Sequence, residues 1–176
     1  MTRRYKNLKD DGKVIQLPLK QRHSPMSKKQ FSVLWDLEEE FGNCDAQTVI
    51  NLVKRAIEVF GWPERRAPYV QFQWHPFATE VGAHADEQVL NFSWPDPKVG
   101  SFRRLVVAHE LAHFIELNGP HLNPARVKRE PHCLYWLEHY DRIAKVLWPE
   151  ATNMHSVIET LLTSVRANPA EVDTID

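Results

Sequence analysis

Arg103-Arg104-Leu105-Val106-Val107-Ala108-His109-Glu110-Leu111-Ala112-His113-Phe114-Ile115 is the stretch on which the reading of the chain turns. It contains His-Glu-x-x-His. On a helix, residues at i and i+4 project from one face, so His109 and His113 would stand one above the other. Two imidazoles so placed can grip a single Zn²⁺ at about 2.0–2.1 Å. Glu110 follows the first histidine and would lie beside the metal, where it can take a proton from bound water. Leu105, Val106, Ala108, Leu111, Ala112 and Ile115 supply apolar faces for a buried helix, and Ser101 is the expected N-cap. An ordinary amphipathic helix is the plainer alternative. Burying two histidines and a glutamate among aliphatics without a metal would be costly, which favours the metal site.

Catalytic zinc sites commonly use three protein ligands plus water, so a third ligand is expected further along. The candidates are His121, Glu130, His132 and Glu138. His132 is favoured. It follows His113 after eighteen residues and falls in the first turn of a helix expected to open at Pro131. His121 lies on a Gly/Pro loop, and Glu138 lies one turn or more inside the later helix. His84 sits in a turn-like segment, Gly82–Asp86, and reads better as a surface histidine.

Around this centre the chain reads as α+β. Ser27-Lys28-Lys29-Gln30 is a capping box opening a helix to about Phe41, with Phe31, Leu34, Trp35, Leu37 and Phe41 near one side. Asp45 caps a second helix, Ala46–Phe60, whose Val49, Leu52, Val53, Ala56 and Ile57 repeat at helical spacing and which Gly61 ends. Tyr69–Trp74 alternates apolar and polar residues, and Glu87–Trp94 reads as a second strand. Together they predict a small antiparallel sheet just ahead of the metal helix. Two further helices follow, one to Trp148-Pro149 and one over Met154–Arg166.

The 176 residues fit one domain at 27–167, preceded by a basic arm at 1–26 and followed by a tail at 168–176. A 43% hydrophobic content suffices for a real core. Net charge is −1, but residues 1–29 carry +7, leaving −8 on the remainder. The overall balance excludes a generally basic nucleic-acid binder, while the arm could meet phosphates. Cys44 and Cys133 form no Cys-x-x-Cys pair, which points to a reducing, cytoplasmic setting. No run of about 18 apolar residues suggests a membrane span, and no signal-peptide core follows the N-terminal arginines.

His109-Glu110-Leu111-Ala112-His113 together with Pro131-His132-Cys133-Leu134-Tyr135-Trp136 resembles the SprT-like zinc metallopeptidases, over about residues 69–147. That zincin family has HExxH, then His-Gly-Pro-x-Phe/Trp opening the next helix. Val89-Leu90-Asn91-Phe92 is similar to the strand before its metal helix. Cys133-Leu134 stand where the family has Gly-Pro. The resemblance implies a zincin-like fold, His109, His113 and His132 as zinc ligands, and Glu110 as catalytic base. A weaker similarity, to ImmA/IrrE-like metallopeptidases, rests on Glu138 with Val146-Leu147-Trp148-Pro149.

Two functions compete at this level. One is a zinc-dependent metallopeptidase that cleaves protein or peptide substrates through zinc-activated water, with Glu110 as general base. The other is a non-catalytic zinc-stabilised module that contacts protein or DNA. Glu110 favours the first, because a structural site needs no base.

Overall fold

The computed structural model describes residues 24–74, 82–85, 88–94, 101–118 and 132–168. Local chemistry accounts for where its first two helices begin. Ser27 Oγ accepts the Gln30 N–H while the Gln30 side chain accepts the Ser27 N–H, and this reciprocal cap starts α1, Lys28–Glu40. Gly42 follows at φ 90°, a left-handed turn that glycine adopts without strain. The chain then enters β1, Asn43–Cys44. Asp45 accepts the Thr48 N–H at 2.8 Å and opens α2, Ala46–Phe60, which left-handed Gly61 closes. Both helices match their sequence expectation at each end.

A short 3₁₀ turn leads to β2, Tyr69–Trp74, then β3, Gly82–Ala85, and β4, Val89–Trp94. The small sheet is present, with β4 in the centre and the order β2-β4-β3. Only its β3–β4 half is antiparallel; β2 runs parallel to β4, with Tyr69 opposite Val89 and Trp74 opposite Trp94. The segment expected to be a turn supplies β3. It pairs antiparallel with one edge of β4, which leaves the opposite edge to β2. Phe72, Phe92 and Phe102 then meet with ring centroids 5.5–5.8 Å apart.

Phe102–Arg103 form β5, which pairs antiparallel with β1 and runs straight into α3, Arg104–Asn118. Ser101 is therefore too far upstream to cap α3. This helix is buried almost all round, through Leu105, Val107, Ala108, Leu111, Ala112 and Phe114. Such a helix belongs in the centre of a fold. It packs on α4, Leu134–Leu147, and touches β3 and β4. The last helix, α5, spans Thr152–Ala167 and covers α4.

Two expectations about α1 and α4 change. Trp35 is 44% exposed, and Glu38 takes an inward position on α1 beside Leu34 and Leu37. The fourth helix opens at Leu134 with Cys133 as its cap residue, so His132 precedes the helix and is not part of its first turn. An antiparallel bridge between Pro25 and Cys133 holds it there, with Met26 N–H bonded to the His132 carbonyl at 2.9 Å. Among the described residues no helix is long and apolar enough to cross a membrane.

Candidate metal centre

His109 and His113 lie one turn apart on α3, as the i, i+4 spacing requires, and their rings stand 5.1 Å apart. His132 reaches the same point from the bridged segment before α4. Its Nε2 is 3.0 Å from His109 Nε2 and 3.3 Å from His113 Nε2. Nitrogens bound about 2.0–2.1 Å from one tetrahedral centre stand roughly 3.3–3.4 Å apart, so three facing nitrogens at these distances fit the donor set of one metal ion. Among the described residues these three are the one group of histidine, cysteine or carboxylate side chains so gathered.

The chemistry around the rings fits the same reading. Trp136 is fully buried, and its indole ring lies 4.7, 5.3 and 4.8 Å from the rings of His109, His113 and His132. Its N–H donates to the His109 carbonyl at 3.3 Å. Phe31 covers His132 from α1, with ring centroids 4.5 Å apart. The nitrogens thus converge inside an aromatic wall that limits how far any ring can turn.

Burial pushes His132 down to about 3, helped by the neighbouring His109 and His113 rings. Burial lowers His113 as well, against the opposing pull of Glu116. Both are held as neutral imidazoles, the form that ligates metal. Burial works against a charge on His109 too, but the bond from Glu38 and the charges of Glu38 and Glu110 outweigh it and raise that group. Glu38 Oε1 lies 3.0 Å from His109 Nδ1. Glu116 Oε2 lies 3.6 Å from His113 Nδ1, and its other oxygen accepts the Cys133 thiol at 3.4 Å.

Glu110 is 4% exposed, and its Oε2 has no hydrogen-bond partner. Burial raises its carboxyl to about 7, with His109 opposing and Glu38 adding to the rise. A buried carboxylate oxygen left unpaired is expensive, and a cation with its water would satisfy it. Glu110 and His109 open on a cleft of about 400 Å³, lined also by Trp35, Asn43, Ala83, Arg103 and Val106. A larger hollow of about 600 Å³ between α1 and α5 holds none of the candidate residues, so the chemistry places the site in the smaller cleft.

The sequence candidates separate cleanly. His109, Glu110, His113 and His132 come together. Glu138 faces away and accepts a bond from Arg166 Nη2 at 2.9 Å. His121 and Glu130 lie outside the described residues, as do the basic arm through residue 23 and the tail from residue 169. Of the side chains near His132 in sequence, Tyr140 is buried against Trp136 and His109, Tyr135 packs edge-on against His139, and Arg142 is exposed. Sequence reading missed Glu38 and Glu116. Glu38 sits four residues after buried Leu34, a spacing that places it on the inward face.

No protein-family model matches the chain, and neither do curated proteins or solved structures. The geometry therefore stands alone. It is that of a zincin-like HExxH metallopeptidase site, with a third histidine, on an α+β framework.

Proposed function

We propose that the chain is a zinc-dependent peptidase that cleaves peptide bonds in protein or peptide substrates. The observation that carries this reading is Glu110, a buried residue with an unpaired Oε2 that lines the same cleft as His109 beside the three-histidine cluster. A site meant only to hold a metal has no use for such a group.

His109, His113 and His132 would hold the ion through their Nε2 atoms. Zinc bound there supplies Lewis-acid chemistry, lowering the pKa of coordinated water and polarising the scissile carbonyl. Glu110 takes the proton released as water attacks and delivers it to the departing amide nitrogen. Glu110 is itself 4% exposed, which keeps most bulk water from its carboxylate. β3 pairs with β4 on one side only among the described residues, and α3 packs against it. An extended peptide added to such an edge would have its backbone fixed by strand hydrogen bonds beside the cleft. The SprT-like resemblance supports the same assignment of ligands and base. The +7 charge on residues 1–29 supports an accessory contact with nucleic-acid phosphates, whose affinity would fall steeply with salt.

Glu110→Gln tests the central claim, because it keeps the side-chain shape and every ligand. The variant should retain one zinc per chain and the wild-type melting temperature. Its cleavage of an unstructured protein substrate such as casein should drop about 10²–10⁴-fold, the usual contribution of a general base. Equal cleavage by Glu110→Gln would remove Glu110 as the base, and a zinc-loaded wild type that cleaves no peptide or protein would favour the non-catalytic zinc module instead.

A further inference from the structure

Glu38 lies 71 residues before His109 in sequence, within the acidic run Glu38-Glu39-Glu40. Glu39 and Glu40 are exposed, as the end of a surface helix should be, whereas Glu38 is 1% exposed. Burying a carboxylate is costly unless it is paired, and an ion pair of this kind rarely improves on an apolar side chain of the same volume. Stability alone therefore does not explain a glutamate here.

Its partner does. Glu38 Oε1 is 3.0 Å from Nδ1 of His109. A carboxylate oxygen only accepts, so Nδ1 must carry the hydrogen, and the lone pair of the neutral ring is then on Nε2. Nε2 is the atom that faces His132 Nε2 at 3.0 Å. Tyr140, fully buried, stands with its ring 6.4 Å from that of His109 and closes another side of the imidazole. We infer that Glu38 is a positioning residue for the metal centre: from α1 it fixes the tautomer and ring orientation of His109, so that α1 is a working part of the site. Outer carboxylates that bind a ligating histidine raise its basicity and limit its rotation, and their loss typically costs about 10–100-fold in metal affinity.

This inference rests on the three-histidine reading, and the test separates the two. Zinc affinity is measured on the full-length chain by competition with a chromophoric chelator, together with the melting temperature of the metal-free protein. Glu38→Gln keeps volume but removes the charge and leaves an amide free to turn. It should weaken zinc binding at least 10-fold and speed zinc release to excess chelator. Glu38→Ala should weaken it further, while Glu39→Gln, one position along the same helix, should bind as wild type does. Zinc affinity of Glu38→Gln within twofold of wild type overturns the inference, even if its metal-free melting temperature falls, because that pattern is structural support alone. Wild type that takes up no zinc overturns the three-histidine reading, and the role of Glu38 falls with it.

Discussion

The His132 carbonyl accepts the Met26 N–H at 2.9 Å, and two residues on, the Leu134 N–H donates to the Ser24 carbonyl at the same distance. The third histidine is thus fixed by a strand-like bridge to the segment just before α1. A histidine outside any helix owes its position to these backbone bonds and to the rings of Phe31 and Trp136 against it.

Truncation should show this. Removing residues 1–22 is expected to leave zinc affinity unchanged, because the bridging bonds run from residues 24 and 26. Removing residues 1–26 deletes the bridge and should weaken zinc binding clearly while leaving helix content largely intact by circular dichroism. Equal affinity in the two truncations would remove the bridge from the account.

Single substitutions at His109, His113 and His132 to alanine should each abolish stoichiometric zinc, read by elemental analysis of the purified protein. Glu138→Ala should keep full zinc, since its carboxylate is bonded to Arg166 at 2.9 Å. The loss of that partly exposed pair should cost no more than about 1 kcal/mol. Zinc loss in Glu138→Ala would mean the carboxylate reaches the metal after all.

Trp136 walls all three histidines at the centre. It is fully buried, touches all three histidine rings and donates to the His109 carbonyl. Trp136→Ala should lower stability by about 3–5 kcal/mol in denaturant titration, the range for truncating a large buried aromatic. Trp136→Phe should be milder but lose the N–H bond. A cost under about 1 kcal/mol for the alanine variant would show that the wall is loosely packed.

Lys145 joins Asp141 and Glu159, at 2.9 and 3.0 Å, across α4 and α5. Burial opposes its charge, but bonds to both carboxylates raise it above its ordinary 10.5. Glu159 is lowered from 4.5 by the Lys145 bond and then by its charge. A raised lysine stabilises the fold below its unfolded pKa and stops doing so as pH climbs through the folded value. A lowered carboxyl does so above its unfolded pKa and stops as pH falls through the folded one. The stability gap between wild type and Lys145→Met should therefore be flat between about pH 5 and 10 and narrow on both sides. A gap that grows under acid would contradict this pairing.

Local rules made much of the protein legible from its sequence. The Ser27 and Asp45 caps, the Gly61 stop and the i, i+4 histidines depend on residues within about one helical turn of each other. So does the placement of Glu110 beside the first histidine. What the sequence left open is what chain-distant segments decide. Gly82–Ala85 lacks β-branched or aromatic residues and reads as a turn; pairing with β4 makes it a strand. Ser101 resembles a cap, but the β1–β5 pairing extends the chain up to Arg104. His132 was identifiable as a donor by spacing, yet its position depends on the bridge to Pro25, more than a hundred residues earlier. Glu38 lay hidden in an acidic run because helical phase shows which face is inward, while only packing shows which histidine that face meets. The sequence determines that His109, Glu110 and His113 share one helix, since a helix sets their spacing by itself. Tertiary structure decides that His132 meets them and that Glu38 stands behind His109, since those contacts close loops of 19 and 71 residues that no local propensity can specify.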